Sequence, residues 1–145
     1  MLKKSLLTIL ILAIISVIGS LIYITAISKS GEAFTEFYLL GLEGIAENYP
    51  EQLVIDEIEK VTVGIINHEH EQKSYWIKVL IDGQESNEAG PILLEDGEQW
   101  EGNVTFTPKL PGENQKVEFL LFKGDEAATP AYSLHLWINV KDNVE

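Results

Sequence analysis

Two imidazoles and two carboxylates stand in a row at His68-Glu69-His70-Glu71, side-chain types that ligate zinc. In an extended segment His68 and His70 would point to the same side of the chain. A third ligand would then have to come from elsewhere, and no H-E-x-x-H or comparable spacing supplies it. His135, the remaining histidine, falls on a different segment. The quartet therefore reads as the polar end of a strand running into a turn, and no metal or cofactor is expected. A second motif, Asn103-Val-Thr105, is the one N-glycosylation sequon in the chain. It is an acceptor where it is exposed on the outside of a membrane.

Catalytic signatures are missing. There is no G-x-S-x-G and no glycine loop of the P-loop or Rossmann kind. Cysteine is absent, so thiol nucleophiles, thiolate metal sites and disulfides are excluded. Asp96 and Glu98 read as solvated turn residues. The sequence predicts a protein that is not an enzyme.

The larger chemical signal is a face. Segments beginning near Tyr75, Lys116 and Tyr132 alternate in character. If they lie side by side as strands, one face is aliphatic and the other presents Trp76, Leu80, Leu120, Phe122, His135 and Trp137. An exposed patch of this kind marks a partner or glycan site. The competing arrangement, which we expect, has Phe34 to Ile45 packed over it as a second layer.

The elements that position these residues follow from alternation and turn chemistry. Phe34 to Leu40 suits a first strand, broken at Gly41-Leu-Glu-Gly44, with a turn at Glu47-Asn-Tyr-Pro50. Leu53 to Ile58 suits an edge strand. Val61, Val63 and Ile65 share a face of a strand ending at Asn67, and Tyr75, Ile77, Val79 and Ile81 share a face of the next. Asp82-Gly83 is a turn signal. A short strand over Ile92 to Leu94 precedes the turn Glu95-Asp-Gly-Glu98. Trp100, Val104 and Phe106 then alternate with Glu101, Asn103, Thr105 and Thr107 up to Pro108, which turns Asn103 and Thr105 outward. After a turn at Pro111 to Asn114, Val117, Phe119 and Leu121 define another strand. Beyond a loop at 124–130, Leu134, Leu136, Ile138 and Val140 define the last. About seven strands with no helical period predict an all-β fold, an immunoglobulin-like antiparallel β-sandwich.

In front of this domain lies Ser5 to Ser28, which has no charged residue between Lys3-Lys4 and Lys29. About 23 residues at ~1.5 Å each make a helix of roughly 34 Å, enough to cross a hydrocarbon core of ~30 Å. We read 1–4 as a cytoplasmic tip by the positive-inside tendency and 5–28 as a transmembrane signal anchor. Residues 29–33 are then a linker, 34–142 the extracytoplasmic domain and 143–145 a tail. The competing reading is a cleaved signal peptide ending at Ala26-Ile27-Ser28, but the apolar run exceeds the ~7–15 residues of such a peptide.

Charge narrows the partners. From Lys29 onward eight lysines face 23 acidic residues, a net charge of −15, and the chain has no arginine. Phosphate backbones and anionic lipid would repel such a surface, so nucleic-acid binding is not expected.

Several pieces taken together resemble a known family. They are Glu36-Phe-Tyr38, Tyr49-Pro50, Val63-Gly-Ile65 with Asn67-His-Glu69, Gly97 with Trp100, and Phe106-Thr-Pro108. Pro111 to Lys116 running into Glu118-Phe-Leu-Leu121, and Leu134-His-Leu-Trp137, complete the set. From about Phe34 to Val140 the chain is similar to the extracytoplasmic region of a largely archaeal membrane-protein family, domain of unknown function 1616. Members often carry several membrane helices before this region, where this chain has one. The resemblance implies a fold and a location outside the membrane, and no catalytic residues. The expected function is a membrane-anchored, non-catalytic interaction or structural module of the cell envelope, partnered by the membrane through residues 5–28 and by an envelope or membrane protein. The alternative is a glycan-binding or glycan-processing accessory that uses the aromatic face.

Overall fold

The computed structural model describes residues 1–27, 31–41, 49, 51–125 and 127–143. They form two compact units, Met1–Ala33 and Phe34–Glu145.

The first unit is built on helix α1 (Leu2–Ile27). It is long and apolar enough to cross a membrane, a property that a signal sequence near an N-terminus shares. Several of its hydroxyls are satisfied within the helix by bonds to the preceding turn. Thr8, Ser20 and Thr25 donate to the carbonyls of Lys4, Ser16 and Leu21 at 2.8–2.9 Å.

The second unit is an immunoglobulin-like β-sandwich of eight strands. They are β1 (Phe34–Leu40), β2 (Gln52–Val54), β3 (Glu59–His68), β4 (Lys73–Ile81), β5 (Gln84–Leu94), β6 (Gln99–Phe106), β7 (Gly112–Lys123) and β8 (Tyr132–Lys141). One sheet has the order β1-β3-β6 and the other β2-β8-β7-β4-β5. All pairs are antiparallel except β2 with β8.

Period-two alternation places the core between the sheets. Val61, Val63 and Ile65 of β3 and Val104 and Phe106 of β6 face Ile77 and Val79 of β4, Val117, Phe119 and Leu121 of β7, and Ile138 and Val140 of β8. Phe106 and Phe119 meet edge-on across the layers at 6.2 Å, a favourable aromatic geometry. The Asp82-Gly83 turn has positive φ at both residues, 47° and 81°, the two-residue hairpin geometry that matches strand twist.

The structure departs from the sequence expectations in three strands. The segment Leu53 to Ile58 pairs only as far as Val54, because Asp56 turns to φ 64°. The short strand at Ile92 to Leu94 is the end of the eleven-residue β5. Its first eight residues, Gln84 to Pro91, are a sheet edge without alternation, and the register against β4 shifts twice. Most consequential is β1, which pairs with β3 in the three-stranded sheet. Phe34 to Leu40 therefore do not form a layer over the aromatic face of the other sheet. Residues 42–48, Pro50 and Ser28 to Ser30 fall outside the described residues, and with them Ile45 and most of the predicted 41–50 turns.

Candidate functional site

The outer face of the five-stranded sheet holds the six residues singled out from the sequence. The ladder sets their order. Trp76 pairs with Phe122, Lys78 with Leu120, and Leu80 with Glu118. On the other side of β7, Glu118 pairs with His135 and Lys116 with Trp137. Trp76 and Trp137 thus lie six residue steps apart along the strands, about 20 Å. They are two clusters, joined by Leu80 and Leu120 at the centre.

The clusters differ in freedom. Trp76 is half-buried and its indole lies on β5, where a Cβ at Gly90 would come within 2.9 Å of Trp76 Cε3. Its indole N–H donates to Asp125 Oδ1 at 3.4 Å. Trp76 is a packing residue that fills the irregular β4–β5 ladder. Trp137 is 55% exposed and touches His135 edge-on at 5.8 Å. Several charges on this face are paired. Lys116 meets Glu118 at 3.4 Å, and Lys78 meets Glu85 and Glu88 at 3.5–3.6 Å. The result is a nearly neutral, half-apolar surface on a strongly acidic domain.

The three-stranded sheet has a polar outer face. Tyr38 of β1 lies flat across Gly64 of β3, where an added Cβ would sit 2.0 Å from the ring. A glycine inside a strand marks such a close approach. The Tyr38 hydroxyl donates to Glu101 Oε1 at 2.6 Å and accepts from Gln99 Nε2 at 2.7 Å. Partial burial and the bonded Glu101 carboxylate push this phenol above its ordinary value, so it remains a donor. One row on, Thr62 Oγ1 donates to Asn103 Oδ1 at 3.0 Å. Asn103 is exposed and Thr105 half-buried, the latter held by Asn87 Nδ2 at 2.8 Å.

The His68–Glu71 quartet does not stay extended. His70 turns to φ 63°, which breaks the geometry that would have aligned the two imidazoles. His68 stacks on Phe34 at 4.6 Å and bonds Glu36 at 2.9 Å. Glu69 points into the seam between the sheets, where Thr35 and Lys123 each donate to Oε1 at 2.7 Å. Burial alone would raise the Glu69 carboxyl, yet these two donors outweigh it and hold it below its usual value. The Thr35 hydroxyl also meets the buried Tyr75 phenol at 2.9 Å, which burial pushes up. Among the described residues no three histidine or acidic side chains are placed to hold a metal ion.

Asn67, fully buried, organises the same end of the sandwich. Its Nδ2 donates to the carbonyls of Glu71 and Leu94, and its Oδ1 accepts from the Glu69 N–H, all at 2.8–2.9 Å. At the other end, a cleft of about 480 Å³ runs between the β4–β5 hairpin and residues 107–113. Its charged groups do not converge. Asp82 accepts the Lys116 N–H at 2.9 Å, and Lys109 is drawn out to Asp56 at 2.9 Å.

With the geometry established, comparison with known proteins adds the family. Residues 28–139 match the family model described as "Domain of unknown function (DUF1616)". The chain belongs to that family. No curated protein matches it. Among solved structures, the DUF1616 sandwich is similar to the CARDB domain of the PF1109 protein from Pyrococcus furiosus, whose crystal structure is a complex with di-metal ions. The TM-score is 0.53 at 14% identity, covering 75% of this chain and 89% of that one. The solution structure of the same domain gives 0.53 at 12% identity, covering 74% and 94%. A β-glucosidase from Listeria innocua in complex with glucose gives 0.51 at 15% identity. That likeness covers 77% of this chain but 16% of the enzyme. At such identities the likeness establishes the fold alone.

Proposed function

We propose that this DUF1616 protein is a membrane-anchored, non-catalytic module that holds its sandwich outside the cell membrane and binds another envelope or membrane protein. In this reading α1 is an uncleaved anchor with Met1 to Lys4 in the cytoplasm, and anchoring raises the effective concentration of the head for neighbours in the same membrane. The contact surface is the Leu80, Leu120, His135 and Trp137 part of the five-stranded sheet. The observation that carries it is the exposed Trp137 on a nearly neutral sheet face. Tryptophan is enriched among residues that dominate binding energy, and a neutral patch lets a partner approach an acidic domain.

The glycan accessory reading on this same face asks for both indoles to be exposed. Trp76 is packed against Gly90 and tied to Asp125, which favours the protein partner. A fold likeness to 16% of a β-glucosidase brings no catalytic group with it, and in the 480 Å³ cleft Asp82 is taken up by a backbone N–H and Lys109 by Asp56, which argues against convergent acid–base chemistry.

The test is cross-linking of the full-length chain in its native membrane, followed by mass spectrometry, with the anchor alone and Trp137→Ala as controls. The reading expects a partner that the wild type recovers and both controls lose. A partner recovered equally by the anchor alone, or unaffected by Trp137→Ala, would sink it.

A further inference from the structure

We propose that Asn103 carries an N-linked glycan and that the flat Tyr38 ring is the platform on which its first sugars rest. The proposal concerns the sheet opposite to the partner face. From the reading above it takes only that the head lies outside the membrane.

The acceptor geometry is already set. Asn103 is exposed on β6 with its Oδ1 held by the Thr62 hydroxyl at 3.0 Å. That bond engages Oδ1 and leaves Nδ2, the atom that would bear the sugar, without a hydrogen bond among the described residues. The Asn103–Thr62 pair is one row from the Glu101–Gly64 pair over which Tyr38 lies. The ring is therefore about 7 Å along the strand and about 5 Å across from Asn103, within reach of the first sugars of a glycan attached there. A pyranose packs its C–H face on an aromatic ring, and this ring is held parallel to the sheet because Gly64 has no side chain. Its hydroxyl end is fixed by Glu101 and Gln99, so the platform is ordered before any sugar arrives. Leu40, paired with Thr62 on the same face, extends the apolar floor.

The transfer is a substitution at a sugar carbon. Asn103 Nδ2 attacks the anomeric carbon of a glycosyl donor whose leaving group is a lipid-linked phosphate. The new C–N bond forms as the C–O bond breaks, the phosphate leaves with the electron pair, and the amide gives one proton to a base of the transferase. Nothing is oxidised or reduced. Thr105, whose hydroxyl the sequon requires, is held by Asn87 of β5 in the folded domain. Transfer to the folded acceptor thus requires the Asn87 side chain to release the Thr105 hydroxyl.

The experiment is peptide and intact-mass spectrometry of the full chain from its native membrane, beside Asn103→Gln, Thr105→Ala and Thr105→Ser. The expected result is a sugar mass on the Asn103 peptide in wild type and Thr105→Ser, absent in the other two. An unmodified Asn103 overturns the proposal. The platform has its own readout, the difference in melting midpoint between each glycosylated protein and the same protein carrying Asn103→Gln. That difference should be a rise of a few degrees in wild type and in Tyr38→Phe, which keeps the ring, and should vanish in Tyr38→Ala. A glycan whose stabilisation is nil, or unchanged in Tyr38→Ala, overturns the platform. Neither result touches the Trp137 test, which reads the other sheet.

Discussion

On the three-stranded sheet most of the outward polar side chains bond one another. Tyr38, Gln99 and Glu101 bond across three strands, Thr62 bonds Asn103, and Glu36 bonds His68. On the five-stranded sheet the outward apolar groups at the Trp137 end have no such partners, and the ion pairs there span exposed or half-exposed side chains. Both sheets contribute their inner faces to one core. The difference teaches that the fold is satisfied by the inner faces alone, which leaves each outer face open to a separate use. A braced face stabilises the domain and offers little that is free to a partner. An unbraced face contributes little stability and leaves contact area exposed.

The largest effect belongs to the seam that both faces share. Asn67 holds the β3–β4 turn to the end of β5, and truncation strands the buried Leu94 carbonyl together with the Glu71 carbonyl and the Glu69 N–H. Asn67→Ala is expected to cost about 2–4 kcal/mol, measured as the loss in urea-unfolding free energy. A cost near zero would show that this end is held by strand pairing alone.

The second effect depends on pH. Glu69 joins the β3–β4 turn to Lys123 of β7, and its carboxyl lies below its ordinary value of 4.5 in the folded domain. The sign follows from that depression. Its stabilisation is present in full above the unfolded-state value and is lost as pH falls below 4.5 through the folded-state value. Wild type should therefore be more stable than Glu69→Gln near neutrality, and the two should converge as pH falls through the folded-state value. A constant gap in melting midpoint across that range would assign the effect of Glu69 to shape instead of charge.

A smaller effect sharpens the contrast on the three-stranded face. Gly64→Val forces the Tyr38 ring off the sheet and breaks its bonds to Glu101 and Gln99. Valine favours strands, so the net loss should be about 1 kcal/mol. A stabilised Gly64→Val would mean that the brace contributes nothing and that the two outer faces differ only in polarity.

Which of this the sequence disclosed follows from how local each signal is. The inner faces were legible because Val61, Val63 and Ile65, or Val117, Phe119 and Leu121, state their direction within five residues. The sheet to which Phe34 to Leu40 belong was not, since alternation identifies a strand without naming its neighbour. For that reason Phe34 to Leu40 do not supply the layer expected over the aromatic face, and Ile45 lies outside the described residues. The first eight residues of β5 were missed because an edge strand with shifted register has no alternation to show. The Tyr38 platform needs the β1–β3–β6 register, and only the lone glycine in Val63-Gly64-Ile65 hinted at it. The two tryptophans could be placed on one face by parity, while their separation of about 20 Å depends on strand pairing.

The smallest expected effect on stability is the most informative about function. Trp137 stands 55% exposed, and its one aromatic neighbour, His135, is also on the surface. Trp137→Ala should change unfolding free energy by less than about 0.5 kcal/mol and leave the domain fully folded. If the unbraced face is the contact surface, the same change removes an anchor from the centre of an interface and should weaken partner capture at least tenfold, the scale of a binding hot spot. Phe122→Ala is the matched comparison, because Phe122 is half-buried beside Trp76. It should lose more stability and less capture. A Trp137→Ala protein that unfolds more readily than Phe122→Ala would place Trp137 in the structural class of Trp76. The five-stranded face would then be braced after all, and its contrast with the Tyr38 face would disappear.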